Sequence, residues 1–278
     1  MALPQIARLS LATTPPVGVA LVRPRNRLYQ ATARLASLVQ PATPALVLTT
    51  CGGFFCFPWP RVFHWSDNVN PGADDRLELE KAAEHHLWQL LTPDLVRELA
   101  LLTRFISIGA DSTTTRHGRC YRCELVAVVN LRTREVRWTG KYYPTGPYQM
   151  RQLYRCPELE SHFLSLNRHR TMVLGCHDLN LFSPRGMAVT APGSIRAEWR
   201  ASFLAEANRF APSLVLHHPH TTQSPRVWLQ AVHHLQRELP SVRQFISGLN
   251  IYPVSRQNRS MLYAIQKATQ LGPNILEV

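Results

Sequence analysis

The chain has almost no lysine. Lys81, Lys141 and Lys267 are the only three among 31 basic residues, so arginine supplies nearly all the positive charge. Long apolar runs are also missing. The clean apolar stretch near the start, Val17 to Val22, is far too short to span a bilayer. Arg8 interrupts the segment where a secretion signal would need its apolar stretch, so a soluble, cytoplasmic protein is expected. No internal repeat or low-complexity segment occurs, which excludes solenoids and fibrous arrays. Neither G-x-x-x-x-G-K-[ST] nor G-x-G-x-x-G is present, which excludes an ordinary P-loop and the common dinucleotide fingerprint.

Cysteine is sparse, with six in 278 residues. Nothing else suggests secretion, so free thiols are expected rather than a disulfide framework. Cys120 and Cys123 have zinc-knuckle spacing, and Cys51 with Cys56 offers a second pair. On a strand, residues three apart face opposite ways, which works against joint ligation.

What is present is a surplus of positive charge, +13 overall, nearly all of it after residue 111. Arginine forks suit phosphate oxygens, so a nucleotide or nucleic-acid partner is one expectation. A coding bias toward arginine explains a scattered surplus equally well.

Hydrophobic periodicity alternates strand and helix. It predicts a leading strand at 17–22, a helix from Arg25 to Val39 and a strand from Ala45 to Thr50. Helices follow at about 74–91 and 93–102, the second capped by Thr92 with Pro93 in its first turn. A strand at 104–109 comes next. A hairpin insertion near 120–140 pairs Leu125–Val129 with Glu135–Trp138. Further helices are expected at 149–155, 158–166, 194–210, 225–239 and 256–270, with strands at 171–175, 213–217 and 242–247. The aromatic, proline-rich segment 54–73 is too irregular for a simple connector. It reads as a pocket cover or, slightly better, as aromatics plugging the core. The whole is expected to be one α/β domain, residues 1–278. Its architecture is a three-layer, Rossmann-like fold with a mainly parallel sheet.

Three apolar runs end abruptly in chemically capable residues. Phe105–Ile108 leads to Gly109, Ala110, Asp111 and Ser112. Met172–Gly175 leads to Cys176, His177, Asp178, Leu179 and Asn180. Leu214–Leu216 leads to His217, His218, Pro219 and His220. In an open α/β sheet such ends share the edge that binds ligands. His218 and His220, with Asp178 and Asp111, form a candidate first shell for zinc, manganese or magnesium. His177, Asp178, His218 and Asp111 are the candidate catalytic groups. Gly52 and Gly53 permit close approach of a phosphate, Ser112 and Asn180 offer hydrogen bonds, and Arg185 is the best-placed cation, with Lys141 second. Cys176 could act as a nucleophile; its neighbour His177 diverges from it on a strand, so pairing of Cys176 or Cys51 with His218 is geometrically freer. The outline resembles caspase-like sheets, with His177 after one strand end. The strand that would then present cysteine ends in His217 and His218, which argues against such a protease. The expected function is hydrolysis of a phosphate-containing substrate, a nucleotide or nucleic acid, either assisted by a divalent metal or with no cofactor. The alternative is a non-catalytic nucleotide sensor or an interaction subunit with a vestigial site.

Overall fold

The computed structural model describes residues 6–11, 18–39, 43–60, 73–116, 118–183, 191–220, 225–248 and 274–277. Eleven strands are found among them. β1 (Ile6–Leu11), β2 (Ala45–Thr49), β3 (Phe55–Cys56), β4 (Thr103–Arg116), β5 (Arg119–Asn130), β6 (Val136–Gly140) and β11 (Asn274–Glu277) form one sheet. Its order is β11-β1-β2-β4-β5-β6, with β3 against β4. β7 (Phe163–Leu166), β8 (His169–Leu174), β9 (Leu214–His217) and β10 (Gln244–Ser247) form a second, four-stranded sheet of order β10-β9-β8-β7.

The two sheets pack face to face. Val47, Phe105, Val126 and Val128 of the first meet Val173, Leu214, Leu216 and Ile246 of the second in one apolar layer. Helices cover the outer faces. On the first sheet lie α1 (Val22–Leu38), α2 (Ala73–Leu90) and α3 (Pro93–Leu102), through Leu28, Leu35, Leu79, Leu87 and Leu95. After the short α4 (Pro147–Gln152), α5 (Ile195–Phe210) and α6 (Pro225–Glu238) cover the second sheet through Phe203, Ala207, Trp228, Val232 and Leu235. The fold is therefore an α-β-β-α sandwich with mixed sheets.

This corrects the three-layer, single-sheet expectation. Strands buried on both faces read as continuous apolar runs whether the second covering layer is a helix or another sheet. All five residues of β2 are buried, with helices on one side and the partner sheet on the other. Periodicity alone cannot separate the two cases.

Local signals fared better. Thr92 Oγ1 accepts from the Leu95 amide with Pro93 in the first turn. Ser194 caps α5 through the Ala197 amide. The hairpin is present as β5 and β6 in antiparallel register. It extends further than expected, because β4 runs on to Arg116 and pairs with β5 along its length. Phe54, Phe55 and Phe57 are buried in the core beneath α2, the plugging role rather than a cover; residues 61–72 lie outside the described residues. Residues 18–21 precede α1 without strand pairing, and the leading strand is β1 instead. The segment 158–166 is a 3-10 turn, Leu159–His162, followed by β7 rather than a helix. The helix expected at 256–270 lies outside the described residues. Among the described residues, no helix is long and apolar enough to cross a membrane.

Candidate active site

The three polar clusters do converge, but from two sheets. Asp111 lies within β4 of the first sheet, while Cys176 follows β8 and His220 follows β9 of the second. The Gly52 amide donates to Pro219 O at 3.1 Å, joining the turn after β2 to the loop after β9. The clusters therefore face one another across the end of the sandwich.

Cys176 sits in the turn where β8 ends. His177 follows in the left-handed region, φ 64°, a conformation that is costly without a glycine. Asp178 secures this turn. Its buried carboxylate accepts from the amides of Gly175 (2.9 Å), Tyr142 (3.1 Å) and Tyr143 (2.7 Å). Burial pushes the Asp178 carboxyl up to about 7 against the pull of these amides and Lys141. The same bonds fix the strand-like segment after β6, which carries Lys141. Its neighbour Tyr142 donates its hydroxyl to Trp199 O and lies beneath the Arg155 guanidinium, 5.0 Å from the ring centre.

Lys141 is fully buried. A buried ammonium needs partners, and it has two: Glu124 Oε2 of β5 at 3.5 Å and His177 Nδ1 at 3.3 Å. Burial pulls the ammonium down, but Glu124 and then the Cys176 and Asp178 groups outweigh it and hold it raised. Burial likewise pushes Glu124 up, and Lys141 followed by His220 and His177 brings it below the usual carboxylate range. Glu124, Cys176 and His220 each present one donor atom, and these atoms lie within 4.8 Å of one another.

His220 closes the cluster. Its amide donates to Cys176 Sγ at 3.5 Å, and its Nε2 lies 2.5 Å from Asp111 Oδ2. Burial lowers the imidazole, but Asp111 and then Cys176 raise it well above its ordinary value. Burial raises the Cys176 thiol, yet His220, with hydrogen bonds from His177 and His220, overcomes both burial and Glu124 and holds it at about 5. The ionised thiol is the nucleophilic form. The arrangement is a buried thiol whose titration His220 and His177 pull down, beside two paired carboxylates, Glu124 on Lys141 and Asp111 on His220.

Other expected site residues are placed elsewhere. His218 Nε2 pairs with Ser107 Oγ at 2.8 Å and His217 Nδ1 with Ser247 Oγ at 3.1 Å, both buried. Ser112 is buried and donates to Phe57 O. Asn180 belongs to the 3-10 turn Asp178–Leu181, where its carbonyl accepts from the Ser183 amide. Gly52 and Gly53 pack against His220 rather than opening a phosphate cradle: a Cβ on Gly53 would lie 2.9 Å from both Asp111 Oδ2 and the His220 ring. Arg185 lies outside the described residues. The proposed metal shell of His218, His220, Asp178 and Asp111 is not assembled, because Ser107 and three backbone amides occupy His218 and Asp178. All six cysteines are free, and Cys120 and Cys123 lie on strand β5. Glu124 was invisible to sequence reasoning, since a lone carboxylate on an alternating strand looks like an ordinary edge residue. The signal that marks Lys141 is the scarcity of lysine, three in the whole chain, of which this one is fully buried.

No protein-family model matches the chain, and no curated protein does. Solved structures match its fold. An amidase from Nesterenkonia sp. aligns with TM-score 0.51 at 11% identity, covering 90% of this chain and 78% of that one. A variant of the Nesterenkonia sp. AN1 amidase carries the acetamide moiety of fluoroacetamide on its active-site cysteine. It aligns with TM-score 0.50 at 12% identity, covering 90% and 79%. The NitN amidase of the same source gives TM-score 0.50 at 11% identity, covering 88% and 78%. These are nitrilase-superfamily amidases, and the shared feature is the α-β-β-α sandwich. The expectation of a metal-assisted hydrolase or sensor for nucleotides or nucleic acid is corrected on these findings. The neighbours are amidases with an active-site cysteine, and the cluster here centres on a thiol.

Proposed function

We propose that the chain is a cysteine-dependent hydrolase of carbon–nitrogen bonds in small amides, with Cys176 as nucleophile. The observation that carries this reading is the placement of the Cys176 sulfur at a strand end, beside His220 and within reach of buried Lys141, in a sandwich of the kind amidases use.

The Cys176 thiolate attacks the amide carbonyl carbon. Negative charge develops on the carbonyl oxygen, and the buried Lys141 ammonium is a fixed positive charge for it in a site of low dielectric. Collapse breaks the carbon–nitrogen bond and leaves a thioester on Cys176. Water then cleaves the thioester and returns the thiolate. Glu124 holds Lys141 in place and charged.

The test has two arms. Fluoroacetamide should add its acetamide moiety at Cys176, read by peptide mass spectrometry. Ammonia release from short aliphatic amides should fall by roughly a thousand-fold or more in Cys176→Ala. Equal release by wild type and variant, or modification only at other cysteines, overturns the reading.

A further inference from the structure

We propose that His220, positioned by Asp111, is the acid/base group of the Cys176 reaction, shuttling the proton between sulfur, leaving amine and water. The inference rests on the reading of Cys176 as nucleophile and assigns the proton steps that this reading leaves open.

The geometry is specific. Nε2 of His220 is committed to Asp111 Oδ2 at 2.5 Å, which leaves Nδ1 as the ring nitrogen available to the reaction. The ring hydrogen-bonds the Cys176 sulfur, whose Sγ also receives the His220 amide. The ring remains about one-fifth exposed, so a substrate can reach it. The chain also makes room for the pair. A Cβ on Gly52 would lie 3.1 Å from His220 Nδ1, and one on Gly53 would meet both Asp111 and the ring. Side chains at these two positions would displace the imidazole.

The competing base is Glu124. It is ion-paired with Lys141, and that cation holds its carboxyl low, which makes it a weak proton acceptor. The remaining groups facing His220 do not compete. Cys51, after β2, is pushed up to about 12 by burial, and Cys56, on β3, to about 11, so both are neutral thiols. Glu124 and Lys141 offset one another, and His177 pairs with Lys141 through Nδ1 at 3.3 Å. Asp111 and Cys176 therefore set the charge on His220.

The proton accounting follows. At rest the imidazole carries the proton that Cys176 has lost. After the thiolate adds to the carbonyl, His220 gives that proton to the departing nitrogen as the carbon–nitrogen bond breaks. Neutral His220 then takes a proton from water as the hydroxide adds to the thioester carbonyl. When the carbon–sulfur bond breaks, Cys176 leaves as thiolate and His220 is again protonated. No other reactant is needed.

The experiment measures the iodoacetamide alkylation rate of Cys176 against pH, by peptide mass spectrometry, in the full chain. Wild type should show an inflection near 5. His220→Gln should move it up by several units and slow alkylation at pH 6 by roughly a hundred-fold or more; Asp111→Asn should slow it by about ten-fold or more. Should the wild-type inflection lie in the ordinary thiol range, the nucleophile reading itself fails. Should it lie near 5 and stay there in both variants, the dyad alone is overturned. A second measurement avoids the question of variant folding. In wild-type protein with labelled histidine, blocking Cys176 as a methyl disulfide should lower the His220 titration midpoint by at least about one unit, because its anionic partner is gone. An unmoved midpoint overturns the proposal.

Discussion

His217 ends the strand that delivers His220 and His218 directly follows it, yet the three imidazoles have opposite fates. The first two are buried against neutral hydroxyls, Ser247 and Ser107, and burial pushes each down to about 3. The third reaches past Pro219 to a carboxylate and a thiolate and is pushed far up. The three residues span one short stretch of chain, so sequence proximity does not decide charge. The partner does. A hydroxyl can satisfy a neutral ring but offers little to offset the desolvation of a cation, whereas Asp111 and Cys176 together favour the charged form.

The largest effect expected from this contrast is on acid stability. His217 and His218 are neutral in the fold, while the unfolded chain protonates its histidines below about 6.5. Their contribution is fully present above pH 6.5 and is lost as pH falls toward about 3, because over that interval the unfolded state binds more protons. Each ring is worth on the order of a few kcal/mol across the window. His220 runs the other way, stabilising at low pH and losing its contribution as pH rises through its raised value. Urea unfolding of wild type and His218→Gln at pH 7 and pH 4.5 separates the cases. The variant should lose markedly less stability on acidification than wild type. Equal losses would mean that His218 is not held neutral, and the contrast would collapse.

This contrast also shows where sequence reasoning reached and where it stopped. That the runs ending at Asp111, Cys176 and His217 come together was legible, because each ends sharply in polar residues. Which of the polar residues point into the site was not. His218 and His220 share a side only if the chain stays extended through Pro219, and the real loop turns His218 inward to Ser107 instead. The helix cap at Thr92 was legible because it depends on a few neighbouring residues. The second sheet was not, since β8 and β9 carry the same apolar runs that a single central sheet would need. Glu124 and Lys141 meet only because β6 returns antiparallel to β5 and places Lys141 beside Glu124. The Lys141 amide donates to Glu124 O at 3.0 Å, a pairing written in topology rather than in spacing.

A smaller effect tests whether the His220 environment is built or incidental. Gly53 has φ +59°, and an added Cβ would lie 2.9 Å from Asp111 Oδ2 and from the His220 ring. Gly53→Ala should cost about 1–2 kcal/mol in backbone strain. It should also push the ring off Asp111 and raise the pH at which Cys176 becomes reactive. Stability measured by urea and the alkylation profile together check this. A stability loss with an unchanged profile would mean that the glycine serves the turn alone.

The smallest effect is expected at a histidine outside the contrast. His234 is half-buried on α6, where its Nε2 pairs with the exposed Arg237 at 2.8 Å. Solvent reaches both partners, so neither leaves a buried group unsatisfied when the other is removed. His234→Gln should therefore change stability by no more than about 0.5 kcal/mol at pH 7. It should leave the acid limb of the stability curve and the Cys176 alkylation profile where they are in wild type. Comparison with His218→Gln is then like for like, the same substitution on two imidazoles that differ in burial. If His234→Gln flattened the acid limb as much as His218→Gln, the limb would reflect histidine content in the unfolded chain. Burial at β9 would then lose its place as the cause.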